Sequence, residues 1–194
     1  MRYTLTCTCI ALAVLTVGCA SSMTAQRRVA DPLPANARVA VLPFENLSGR
    51  ENAGEIITGT FQTLLSGVDR IGVAEPGDVY DGLRRFRIRS GARITRGEVD
   101  SLAAVLRLDF VLVGSVIEYN ERDDRFLGVV PTVSYNCRLI DCRTGGTVWV
   151  AASNGRGDKG EIAFGIGAIR SADNLVLALG KETVKEISGL FQSK

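Results

Sequence analysis

Asp109-Phe-Val-Leu-Val-Gly-Ser-Val-Ile-Glu-Tyr119 is the stretch that decides the fold. Its first half is apolar at successive positions, so both faces of a strand made from it need covering, as in the middle of a sheet flanked by helices. Beyond it, Thr132 to Asp141 and Thr147 to Ser153 flank Arg143-Thr-Gly-Gly146. They read as a hairpin, because Gly145 and Gly146 tolerate the positive φ that a tight turn demands. Asp141 is expected to tie its carboxylate to turn amides near Thr144 and Gly145. Ala172 to Phe191 closes the chain as a helix whose apolar face is Leu175, Val176, Leu179, Val184, Ile187, Leu190 and Phe191.

In the other direction, Thr95-Arg-Gly-Glu98 has the form of a capping box, and the helix it opens presents Val99, Leu102, Ala103 and Leu106 to the core. Pro76 to Arg87 reads as a helix with Val79, Leu83 and Phe86 inward, and Arg70 to Ala74 as a short strand. Glu51 to Val68 sets Ile56, Ile57, Thr60, Phe61, Leu64 and Leu65 at helical spacing, ended by Gly67. Arg38-Val-Ala-Val-Leu-Pro-Phe44 is a buried first strand. Alternating strands and helices followed by a strand meander predict an α/β fold: a single domain with a mixed β-sheet and helices packed against it.

The first 36 residues read differently. Arg2 and the apolar run Cys9 to Val17 have the layout of an export signal, with small residues Gly18-Cys19-Ala20-Ser21-Ser22 at the cut. The apolar run is too short to span a bilayer as a mature helix. Thr16-Val17-Gly18-Cys19 resembles the lipobox of bacterial lipoproteins, which implies acyl chains on Cys19 and the outer membrane as destination. Residues 1–18 are thus expected to be a signal peptide, 19–36 a lipidated cysteine and flexible tether, and 37–194 a periplasmic domain. Ser21, Ser22, Arg27, Arg28, Pro32 and Pro34 show no periodicity, which is the ground for expecting a tether.

Composition narrows the chemistry. Among 194 residues, 23 Lys and Arg stand against 21 Asp and Glu, so the charge footprint of a nucleic-acid binder is missing. The chain has no His, which removes His-based triads, general bases and zinc sites. Cys7 and Cys9 leave with the signal, so Cys137 and Cys142 are the thiols of the domain. Five apart on one strand, they point to opposite faces and cannot bridge each other. They are read as buried thiols, with a partner-linking disulfide as the alternative. No catalytic residue, cofactor site or metal site is expected; a periplasmic enzyme using a carboxylate or Cys137 is the outlying alternative.

Three surface features are open at this level. Arg84, Arg85, Arg87, Arg89, Arg93 and Arg96 either meet anionic lipid or a polyanion, or are a solvated helix end. Glu121, Asp123 and Asp124 lack the spacing of a calcium loop. Phe126, Leu127, Val129 and Val130, together with Phe164, Ile166 and Ile169, are apolar residues in expected loops, and the first four with Phe164 and Ile166 form the candidate partner surface. Folding back onto the core is the alternative for them.

Four stretches in order carry a family resemblance: the lipobox, Val39-Ala-Val-Leu-Pro-Phe-Glu-Asn46, Asp109 to Tyr119, and Cys137-Arg-Leu-Ile-Asp-Cys-Arg-Thr-Gly-Gly-Thr-Val-Trp149. Together they resemble the curli assembly lipoprotein (CsgG-like) family and related periplasmic lipoproteins, including penicillin-binding-protein activators. The resemblance implies an envelope lipoprotein with protein partners, with homo-oligomerisation open. The family's secretion channel inserts two long hairpins into the membrane. Here those places hold only Asn120 to Pro131 and Gly155 to Ser171, too short for membrane hairpins of over about twenty alternating residues. The expectation is therefore a non-enzymatic assembly or scaffold lipoprotein, lipid-anchored on the periplasmic face of the outer membrane. Regulation of a peptidoglycan synthase is the alternative.

Overall fold

A computed structural model describes residues 21–159 and 167–191. Among these residues seven strands and four helices form one α/β domain: β1 (Ser21–Arg27), β2 (Ala37–Val41), β3 (Glu45–Asn46), α1 (Ala53–Ser66), β4 (Ile71–Val73), α2 (Pro76–Arg85), α3 (Arg96–Leu106), β5 (Phe110–Asp124), β6 (Gly128–Asp141), β7 (Thr147–Arg156) and α4 (Ala172–Leu190). The sheet order is β1-β7-β6-β5-β2-β4, with β3 also pairing β5. β2 lies parallel to β4 and β5, whereas β5, β6, β7 and β1 form an antiparallel meander. The sheet is mixed, as the sequence predicts.

The helices take both faces for a topological reason. The crossover through α1 runs outward from β2 to β4, and the one through α2 and α3 runs back from β4 to β5. Connections of the same right hand running in opposite directions lie on opposite faces. Accordingly Val39, Val41, Phe110, Leu112, Tyr135 and Trp149 pack with α1 and α4, while Ala40, Leu42, Val111, Val113 and Ile140 pack with α2 and α3. That second layer is the smaller one. Across β6, β7 and β1 the same face is left to solvent, with Asn136, Ala152, Asn154, Thr24 and Gln26 exposed.

Local signals behave as their chemistry requires. Thr95 accepts the amide hydrogen of Glu98 on its side chain, and the Glu98 carboxylate accepts from the Thr95 amide at 2.7 Å, closing the capping box. Those Thr95 hydrogen bonds, the backbone one first, hold the Glu98 carboxyl below its usual range. The Asp141 carboxylate accepts from the amides of Arg143 and Thr144 at 2.7 and 3.0 Å, and the Gly145 amide goes instead to the Asp141 carbonyl. Gly114 sits where a Cβ would meet the Phe44 ring at 2.3 Å and the Asn136 carbonyl at 2.4 Å, so nothing larger fits beneath Phe44.

Two expectations are corrected. Ser21 to Asn36 is no free tether. Ser21–Arg27 pairs along its whole length with β7, and the strap that follows buries Leu33, whose amide donates to the Leu190 carbonyl at 2.7 Å. The β7 edge offers unpaired backbone groups, and Met23 and Ala25 alternate onto the core, a period-two signal too short and too polar to read from sequence. Second, Asn120 to Pro131 is no loop. β5 and β6 continue through it as a ribbon paired as far as Asp124 and Gly128.

Candidate membrane and partner interface

At the end of the sheet where β1 begins, four strands share one row. Ser21 lies opposite Gly155, Gly155 opposite Val133, and Val133 opposite Tyr119. One row of four strands therefore joins the residue two after Cys19 to the base of the β5–β6 ribbon. β7 ends at Arg156, opposite Thr132, so beyond that level the ribbon is two-stranded.

A bulge aims the ribbon. Between Val116 and Glu118 the β5–β6 register shifts by one residue, leaving Ile117 unpaired and exposed. The extra residue reverses the alternation. Val116 faces α1 and α4, and after the bulge Tyr119 faces the same way. The Tyr119 hydroxyl donates to the Asp173 carboxylate in the first turn of α4. Burial, ahead of that carboxylate, raises the Tyr119 hydroxyl above its ordinary pKa, so it stays protonated and a donor. Two residues on, the Glu121 carboxylate accepts the Ala172 amide at 2.8 Å. Arg50 stacks over the Tyr119 ring, 5.9 Å from its centroid.

The outer edge of β6 is braced as well. Arg170 donates to the Leu127 carbonyl and lies 3.5 Å from that of Val129, and the Gly157 amide donates to the Pro131 carbonyl at 2.8 Å. At the apex the Asp124 carboxylate accepts from the amides of Phe126 and Leu127 at 2.9 and 3.0 Å, and Gly128 takes φ +71°. Those two amides hold the Asp124 carboxyl below its usual range.

This geometry sorts the sequence candidates. Phe126 stands at the apex, 96% exposed. Leu127 and Val129 are half-buried. Val130 is corrected: it is buried, at 4%, on the ribbon face it shares with Thr132 and Arg156, where it lies opposite Arg122 and beside Asn120. Phe164 and Ile166 lie outside the described residues. Glu121 and Asp124 are committed to amides, and among the described residues no group of His, Cys, Asp and Glu could hold a metal ion. Tyr119, Asp173 and Glu121 were invisible as a group, since only the bulge brings them to one face.

Elsewhere the chemistry is structural. Cys137 and Cys142 are free and buried in separate cores, one on each face of the sheet. Burial pushes the Cys137 thiol well up, and burial together with Asp141 pushes Cys142 up to about 12. Neither supplies a thiolate nucleophile at neutral pH. A cleft of about 750 Å³ at the far end of the sheet is lined by Asp31, Asp109, Asp141 and Arg143. Asp109 accepts the Arg38 amide at 2.8 Å and Asp141 serves its own turn, so the cleft lacks uncommitted acid–base groups of that pair. In the basic stretch, Arg84 pairs with Asp81, Arg93 with Glu45 at 2.9 Å and Arg96 with Asp100 at 2.8 Å, which favours a solvated helix end.

No family model and no curated protein matches the chain. Solved structures do. The subunit of the PelC dodecamer from Paraburkholderia phytofirmans superposes with a TM-score of 0.58 at 19% identity, over 89% of this chain and 100% of that one. Lipoprotein GNA1162 from Neisseria meningitidis gives 0.54 at 23% identity, over 79% and 99%. The LpoB C-terminal domain from Salmonella enterica reaches only 0.47 at 16% identity, over 66% and 86%. The fold is thus shared with the PelC subunit and with lipoprotein GNA1162. No helix among the described residues is long and apolar enough to cross a membrane.

Proposed function

We propose that this chain is a non-enzymatic envelope lipoprotein, acylated at Cys19, that sits on the periplasmic face of the outer membrane as a scaffold for an assembly or secretion apparatus. The observation that carries it is the distance from Cys19 to the fold: Ser21 is already paired to Gly155. An anchor at Cys19 therefore acts on the sheet itself, with no leash between. The lipobox resemblance implies three acyl chains on Cys19, and two already suffice for stable attachment. Likeness in fold to a lipoprotein and to a dodecamer subunit supports both the anchor and self-association.

The rival role, a regulator reaching inward to a peptidoglycan synthase, needs reach. With residues 21–36 built into the domain, this chain has little. Intact mass of the protein purified from membranes tests the anchor: acyl chains on Cys19, and loss of membrane fractionation in Cys19→Ala, are expected. An unmodified thiol overturns it. Mass photometry of the detergent-solubilised protein tests the scaffold reading, for which a ring-sized species is expected and a strict monomer counts against it.

A further inference from the structure

We propose that the apex of the β5–β6 ribbon, with Phe126 at its tip, rests in the lipid leaflet as a second, non-covalent membrane contact. This deepens the candidate partner surface by naming lipid as its occupant, and it rests on the reading that Cys19 carries acyl chains.

The inference is one of lengths and directions. β1 begins at Ser21, so the chain toward Cys19 leaves the sheet at the level of Gly155, Val133 and Tyr119. From that level the ribbon continues in the same direction to the Asp124–Gly128 pair, five residues further on each strand. Five strand residues advance ~16 Å. The link from Cys19 to Ser21 can extend no more than ~7 Å. A domain whose Ser21 is held within ~7 Å of the acylated residue therefore has its ribbon tip at or below the headgroup level, for any strand tilt under roughly 60° from the membrane normal.

The side chains suit that place. Phe126 is almost wholly exposed, at 96%, at the outermost turn of the ribbon, so its ring is free to enter an apolar medium without unpacking anything in the fold. Arg122, Asp123 and Arg125 flank it, exposed and mixed in sign, as suits a zwitterionic headgroup layer. The tip is also held in shape for the task. Asp124 and Gly128 fix the turn, and Glu121 and Arg170 fix the ribbon to α4 and the segment before it. The ribbon is too short to cross the bilayer, so it is a wedge in one leaflet and not part of a pore.

The test uses the full lipidated protein, reconstituted into phosphatidylcholine vesicles containing doxyl-labelled lipid. Phe126→Trp is compared with the parent, whose Trp149 is buried, and with Val105→Trp at the opposite end of the sheet. The tip tryptophan is expected to shift to the blue on reconstitution and lose roughly half its emission to doxyl groups near the glycerol level, the depth at which interfacial side chains sit. Val105→Trp is expected to show no blue shift on reconstitution and no more doxyl quenching than the parent. If mass spectrometry shows acylated Cys19 but Phe126→Trp is no more quenched than Val105→Trp, the leaflet contact is overturned and the anchor stands. Protection of the tip only by a second copy or another protein also overturns it. An unmodified Cys19 overturns both.

Discussion

The carboxylate of Glu121, on the protruding ribbon, accepts the backbone amide of Ala172 at the start of the last helix, at 2.8 Å. Ser171, which precedes that helix, makes no side-chain cap, so the cap comes from a strand 51 residues earlier. The Ile117 bulge makes this reach feasible, because it turns Tyr119 and Glu121 together toward α4. One irregularity in β5 thus fixes both the direction of the ribbon and the N-terminal end of α4. A rigid base beneath a free apex is what a membrane wedge needs, since a limp ribbon would fold its exposed ring back onto the domain.

Removing that carboxylate should therefore loosen helix and ribbon together. Glu121→Ala is expected to cost about 1 kcal/mol, the usual worth of an N-terminal helix cap, while Glu121→Gln, which keeps an acceptor, loses less. Urea denaturation measures the loss. Hydrogen exchange should show faster exchange at the Ala172 amide and at the ribbon amides in the same variant, with the α2–α3 layer unchanged.

The apex turn should respond to acid. Asp124 accepts from the amides of Phe126 and Leu127, which depress its pKa, so the ionised form stabilises the folded turn. A depressed carboxyl contributes fully above its unfolded value of about 3.9, and the contribution is lost as pH falls through the lower folded value. The amide chemical shifts of Phe126 and Leu127 are expected to move together below about pH 4 and stay flat from pH 5 to 8. In Asp124→Asn that acid transition should vanish.

Much of this fold was legible because the signals were local. Leu112 and Val113 on one strand, Ile57 and Phe61 on one helix, and Thr95 with Glu98 at one cap each declare themselves within a few residues. The ribbon was hidden because Glu121, Arg122, Asp123 and Asp124 look like a solvated loop. Antiparallel pairing satisfies their backbone, and a two-stranded ribbon tolerates charge on both faces. β1 was hidden because an edge strand needs one apolar face only, and Met23 and Ala25 provide it with two residues. The Tyr119–Asp173 contact spans 54 positions and depends on a bulge that no local pattern announces.

The two thiols give a test of the non-catalytic reading. With both pKa values raised by burial, alkylation of Cys137 and Cys142 by iodoacetamide at pH 8 should be negligible in the native protein and complete in denaturant. Rapid native labelling of Cys137 would reopen the enzyme alternative. A mixed disulfide on Cys142 in the purified protein would revive the partner-linking one.

Leu33 separates a tether from a strap. In a flexible leash, truncating one leucine would leave stability unchanged. In this structure Leu33 is 9% exposed and belongs to the larger core, and its amide is bonded to the Leu190 carbonyl. Leu33→Ala is accordingly expected to lower stability by about 2 kcal/mol, the lower end for a buried leucine because the site lies at the margin of the core. Thermal or urea unfolding of the mature protein measures it. The same variant should expose the C-terminal end of α4 to hydrogen exchange, since Leu190 loses its packed neighbour. An unchanged midpoint would return residues 28–36 to the status of a leash, and with it the freedom of the domain to swing away from the leaflet.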